Sequence, residues 1–245
     1  MYDPTSILAA IDANKTPILT LCTGAMVCNY IWFFAAVWQG FKDKAYPVPI
    51  LSTLFWLVGD GSVVVRWLTG NMAFNHWYLR QFSMSLILTV ICELTFLFMI
   101  LKFGRKELMP NRSQGQFTAV VLAGLAVMIV TWTYVWSNLA DPLNIVYFYL
   151  ANMAGPALGA ALVVKRGTRA GTSPLIWGAY AAMLSFFYAA CYLYYGAPFN
   201  SLGYVAFYLV NIGISVALML VVSRMPKVSA AEPAFAPPPR GGRLA

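Results

Sequence analysis

What most constrains this chain is a series of seven apolar stretches of about twenty residues, near 17–39, 48–66, 82–101, 117–136, 144–164, 174–195 and 202–223. An α-helix of that length rises about 30 Å, the thickness of a bilayer's hydrocarbon core. None of the stretches alternates polar and apolar residues as a barrel strand does. Lipid offers no hydrogen bonds, so a spanning backbone must satisfy its own polar groups, and only helices and closed barrels do so. The expected fold is therefore an all-α membrane protein, a seven-transmembrane-helix bundle. Composition agrees, with 60% of the 245 residues hydrophobic and 10% charged, well outside the usual balance of water-soluble domains.

Three segments follow. Residues 1–16 form a polar lead without a basic n-region or small-residue cleavage site, so it is expected to be retained. Residues 17–223 form the membrane domain. Residues 224–245, rich in Pro, Gly and Ala, cannot bury apolar surface and are expected to be disordered. The first, third and fifth loops and the tail hold most of the Lys and Arg, while the other side has Lys15, Arg66 and Arg80. By the positive-inside rule the N-terminus faces out and the C-terminus is cytoplasmic. A net charge of +8 spread over short loops on one membrane face argues against a nucleic-acid partner. The expected surroundings are a lipid bilayer, either a bacterial inner membrane or the endoplasmic reticulum. All four cysteines fall within spans and the single His76 lies in a loop, so neither a disulfide framework nor a metal site is expected.

Two acids interrupt the hydrocarbon: Asp60, in "LFWLVGDGSVVV", and Glu93, in "VICELTF". An ionised carboxylate at the middle of a bilayer costs about 2.5–3.5 kcal/mol on insertion scales, so two of them suggest a polar cavity or a task. Helix rise places Asp60 roughly 10 Å below the outer edge and Glu93 near the midplane. Asn152 and Asn211 fall between these depths, which gives four helices one shared polar layer. Gly59 and Gly61 are expected to leave open space beside Asp60. A neutral carboxyl in such a dry pocket can serve as a general acid; the competing reading is a set of interhelical hydrogen bonds that only hold the bundle together.

Aromatic residues crowd the same layer. Tyr188, Tyr192 and Tyr195 recur at helical spacing in the sixth span, Trp132 and Trp136 in the fourth, and Tyr147 and Tyr208 lie at similar depth. They read either as an interfacial belt or as a pocket wall whose ring faces stabilise a cation. In the fifth span Ala151, Gly155 and Gly159 recur every four residues beside Pro156, a spacing that lets helix backbones approach closely.

The segments "KAYPVPILSTLFWLVGD", "ICELTFLFMILKFGRKEL" and "RGTRAGTS" together resemble the integral-membrane terpene cyclases of fungal indole-diterpene and meroterpenoid pathways, the paxilline-type family, over residues 44 to about 213. The resemblance implies a metal- and cofactor-independent enzyme that protonates an epoxide or alkene of a hydrophobic isoprenoid substrate and guides cyclisation. In that family acids in the second and seventh helices supply the chemistry. Asp60 falls at the first position, with Asp for the usual Glu, whereas the second is Asn211, an amide that cannot donate a catalytic proton. The Asn that commonly precedes the second-helix acid is Trp56 here.

On this reading Asp60 is the proton donor, tuned by Asn211 and Glu93. Trp56, Trp132, Trp136, Tyr147, Asn152, Tyr188, Tyr192 and Tyr208 line the substrate. Arg166 and Arg169 in the fifth loop are topogenic, with phosphate contact as the alternative. A proton-coupled transporter using Asp60 and Glu93 is the rival class, and so is a non-cyclising relative of the family. A retinal protein is excluded, since the seventh span contains no lysine for a Schiff base.

Overall fold

The computed structural model describes residues 2–228. Among them lie nine helices and no strand: α1 (Pro4–Ala13), α2 (Lys15–Asp43), α3 (Ile50–Leu68), α4 (Trp77–Phe103), α5 (Arg105–Leu108), α6 (Gln114–Asn138), α7 (Ile145–Arg166), α8 (Pro174–Tyr194) and α9 (Leu202–Arg224). Seven of these, all but α1 and α5, are long and apolar enough to cross a membrane, and the chain is a multi-pass integral membrane protein. Each apolar stretch of the sequence became one spanning helix, extended by up to about a turn into its flanking polar residues.

The helix ends are closed by side chains. Ser113 and Gln116 form a reciprocal capping box at α6, and Ser173 and Ser201 cap α8 and α9. These bonds satisfy backbone N–H groups that a helix start leaves without partners. Gly167, at φ +61°, turns the chain out of α7, a conformation that glycine adopts without a Cβ penalty.

The spans close a ring in which α3 packs on α4, α4 on α2, α2 on α8, α8 on α9, α9 on α7, and α7 back on α3. Helix α6 stands outside that ring against α3, leaving Val130 71% exposed on its outer side. The exposed side chains of the spans are largely apolar, as a lipid-facing surface requires.

The N-terminal lead is not simply a polar extension. Asp3 caps α1 by accepting from the Thr5 and Ser6 amides, and hydrogen bonds from the Ser6 and Thr5 hydroxyls, with a smaller part from those amides, lower its pKa to about 2. Helix α1 buries Ile7, Leu8 and Ile11 on one face and packs on α2 and α8. Asp12 accepts a 2.7 Å hydrogen bond from Trp77 Nε1 and faces His76 Nε2 at 3.2 Å, tying α1 to the start of α4. At the opposite end Arg224 is the last residue of α9, and the Arg169 guanidinium donates to the Ser223 and Met225 carbonyls. The expected disorder beyond Val228 falls outside the described residues.

Candidate active site

Asp60 on α3 and Glu93 on α4 are 6% and 1% exposed, and their carboxyl groups face each other closely enough to interact. Two ionised carboxylates in contact in a dry interior repel each other, an arrangement that favours keeping a proton on the pair. No ion pair among the described residues includes either acid. The third member of the group is Tyr147 of α7, whose hydroxyl donates to Asp60 Oδ1 at 2.9 Å. Glu93 Oε2 has no hydrogen-bond partner.

The sequence next to Asp60 makes this approach possible. A Cβ on Gly59 would sit 2.0 Å from the Tyr147 hydroxyl oxygen, so only glycine leaves room for the phenol. The space expected beside Gly59 is thus filled by Tyr147, while Gly61 meets nothing within 4 Å. Tyr147 is in turn held by its backbone. Its N–H donates to Asp141 Oδ2 at 2.8 Å, and Asp141 also accepts from the Tyr2 hydroxyl. Asp141, a loop residue by sequence, is therefore buried and joins the N-terminal cap to the acid pair. Burial, reinforced by Asp141, pushes the Tyr2 phenol above its ordinary range and keeps it a neutral donor.

Beside the acids lies a chamber of about 80 Å³ bordered by α2, α3, α4, α7 and α8. Helical spacing builds its walls. Phe82, Leu86, Thr89 and Glu93 make one stripe of α4, and Tyr180, Met183 and Phe187 make one stripe of α8. Trp32 crosses edge-on to Trp56 at 5.6 Å and to Tyr180 at 5.3 Å between ring centroids.

Two of these rings are anchored on α7 carbonyls, one of them at the break made by Pro156. Proline has no N–H to offer the carbonyl four residues earlier, and the Tyr180 hydroxyl donates to that oxygen, Asn152 O, at 2.9 Å. Trp56 Nε1 donates to the neighbouring Ala151 O at 2.8 Å. The small residues of α7 serve the same packing. Cβ atoms on Gly155 and Gly159 would strike Tyr180 and Trp177, so the stripe admits aromatic rings rather than a second helix backbone.

The structure brings together some of the expected residues and separates others. Asp60, Glu93, Trp56 and Asn152 line the chamber, and Tyr147 reaches Asp60 from behind it. Asn211 does not line it. Its Nδ2 donates to Phe207 O and, at 3.5 Å, to the Tyr188 hydroxyl, within an aromatic cluster that includes Tyr208 and Tyr204. The partner that tunes Asp60 is Tyr147, not Asn211. Trp132 donates to Ser62 and packs on Tyr147, and Trp136 covers the Arg66 guanidinium at 3.6 Å. Tyr192 is 41% exposed on the outer flank of α8. The stripe that faces the chamber runs through Phe187, and one residue further on turns a side chain about 100° around the helix. Trp32, Asn29 and Tyr180 were missed; their signal was the i, i+3, i+4 spacing of polar and aromatic residues on α2 and α8.

Arg166 holds no phosphate-ready face. Its guanidinium donates to both oxygens of Glu107 and to the Tyr46 and Ala170 carbonyls. The two side chains are 3% and 6% exposed. Burial pushes the Tyr46 phenol packed beside them above its ordinary range. Among the described residues no group of three or more His, Cys, Asp or Glu side chains gathers in metal-binding range.

No protein-family model, curated protein or solved structure matches the chain. Fold and site together define a seven-span membrane protein with two buried, facing carboxyls at the wall of a chamber rich in aromatic side chains.

Proposed function

We propose that this protein is a membrane-embedded terpene cyclase that protonates an epoxide or alkene of a prenyl chain and directs the cyclisation of the resulting cation. The observation that carries the reading is the Asp60–Glu93 pair: two buried acids, facing each other, in no ion pair among the described residues, at the wall of a chamber whose lining includes Trp32, Trp56 and Tyr180. With both carboxyls neutral, Asp60 delivers its proton to the epoxide oxygen or alkene carbon. The anion left behind accepts hydrogen bonds from Tyr147 and Glu93, which favour its formation.

Opening of the C–O or π bond places a carbocation in the chamber, where the faces of Trp32, Trp56 and Tyr180 stabilise positive charge without offering a strong nucleophile. An internal alkene then attacks the cation and forms the ring bond. Loss of a proton back to the Asp60 carboxylate ends the sequence, so product and substrate are isomers and the acid is regenerated. The excess of basic residues supports an orientation with the end that carries Arg105, Arg112 and Arg169 in the cytoplasm and α1 on the other side.

The test is to incubate membranes containing the protein with farnesyl and geranylgeranyl derivatives, with and without a terminal epoxide, and to analyse for cyclic isomers. Asp60→Asn is expected to lower turnover about 10²–10⁴-fold, the usual worth of a positioned acid, without loss of folded protein. Unchanged turnover in that variant would remove Asp60 from its role. Absence of any cyclic product from the wild type would remove the cyclase reading itself.

A further inference from the structure

The chamber beside the acids is about 80 Å³, whereas pockets that enclose a whole ligand span about 300–1,000 Å³. It can take only the reacting end of a prenyl chain. A second hollow, a groove of about 240 Å³ between α2 and α4, runs alongside it. Met26 and Phe82 belong to the walls of both. The groove opens outward past the exposed Val27, Thr23 and Gln81, on a face of the ring that meets hydrocarbon.

The two side chains of the partition differ in how firmly they are held. Phe82 is clasped edge-on by Phe148 at 4.8 Å and stacked on Tyr78 at 6.3 Å. The α4 turn beneath it is tied by Ser85 Oγ to Phe82 O and by the Tyr30 hydroxyl to Ser85 O. Met26 is half-buried and its sulfur has only a weak contact with Ser85 Oγ at 3.8 Å. An unbranched side chain with three rotatable bonds can swing aside at little cost. With it displaced, groove and chamber become one channel near the lower end of the ligand-pocket range.

We infer that the groove between α2 and α4 is a lateral portal through which a prenyl chain enters from the bilayer, past Met26, tail end first. This rests on the cyclase reading for the identity of the chain and goes beyond it in route, orientation and head group. Between Gln81 and Glu93 helix α4 rises about 18 Å, the span of an extended tail rather than of a compact metabolite. At the outer end Thr23 and Gln81 offer neutral hydrogen bonds, and the lining contains no Lys, Arg or His. The head group it suits is therefore uncharged, an alcohol or an aromatic ring, and not a diphosphate.

The test is photolabelling of the full chain in lipid nanodiscs with farnesol carrying a terminal diazirine, with adducts mapped by mass spectrometry. Adducts are expected on the chamber side, at Asn29 or Trp56, and along the groove, at Cys22, Val27 or Tyr30. Excess farnesol should compete them away, and farnesyl diphosphate should not. Met26→Trp should abolish the chamber adducts while keeping those in the groove; Met26→Leu should label as wild type, and Val130→Trp on the outer face of α6 serves as the bulk control. Labelling spread evenly over the lipid-facing helices, or chamber adducts that persist in Met26→Trp, would overturn the portal. Because no turnover is needed, a chain that labels as expected but yields no cyclic product would retain the portal and lose the cyclase reading. Cyclisation at the wild-type rate in Met26→Trp would do the reverse.

Discussion

Two buried acidic groups, Glu107 at the end of the bundle that carries α5 and the Asp60–Glu93 pair in its interior, are solved in different ways. Glu107 faces Arg166 at 2.8 Å, with Lys165 at 3.6 Å from its other oxygen, and the Tyr46 and Ala170 carbonyls take two more of the guanidinium hydrogens. The carboxylate is compensated by cations, and both of its oxygens accept from Arg166. Asp60 and Glu93 have each other and one phenol, leave Glu93 Oε2 unbonded, and border a void. A carboxylate that only had to hold helices together would be expected to look like Glu107. On the proposed reading, the second pair is a place where a proton is kept and space is left for something to receive it.

The comparison breaks most severely at Arg166. Arg166→Met leaves Glu107 buried without its partner, and removing one member of a buried pair costs about 3–5 kcal/mol. A thermal or denaturant midpoint in detergent should fall sharply. The double variant Glu107→Gln with Arg166→Met should recover much of the loss, since no uncompensated charge remains; a double variant as unstable as the single would mean that packing, not charge, holds this end.

Gly59→Ala acts on the other pair. The added methyl overlaps the Tyr147 hydroxyl, and overpacking of that kind costs about 1–3 kcal/mol, against the better helix propensity of alanine. Stability should drop modestly and turnover should drop with it, because Tyr147 is driven off Asp60. Wild-type turnover in this variant would separate the phenol from the chemistry.

Tyr147→Phe should have the smallest effect on stability, on the order of 0.5–1.5 kcal/mol for one hydrogen bond. Its signature is kinetic. Loss of the donor that steadies the Asp60 anion should lower kcat and leave KM nearly unchanged, whereas a purely packing role for Tyr147 would leave kcat intact.

The spans were legible because twenty apolar residues in a row have few alternatives in lipid. Helix α1 was not, since its buried face rests on Ile7, Leu8 and Ile11 within a stretch too short and too polar to register as a membrane segment. Within the site, Asp60 and Glu93 stood out by being costly where they are. Tyr147 was recognisable as an aromatic residue at the right depth, but its tie to Asp60 depends on a missing Cβ one residue away on another helix. The wall of α8 was read one position off, through Tyr188 and Tyr192 rather than Phe187, because periodicity fixes the spacing of a face and not its direction. Arg166 illustrates the same limit: positive-inside topology accounts for a basic loop residue so fully that its pairing with Glu107, fifty-nine positions away, leaves no separate trace in the sequence.

Infrared spectroscopy of the protein in lipid at neutral pH addresses the stored proton directly, through the C=O stretch of un-ionised carboxylic acids. A neutral-acid band shielded from exchange with heavy water should be present in the wild type, shift in Tyr147→Phe, and diminish in both Asp60→Asn and Glu93→Gln. A spectrum showing only ionised carboxylates, or a neutral-acid band that survives both substitutions unchanged, would contradict the claim that this pair holds a proton for delivery.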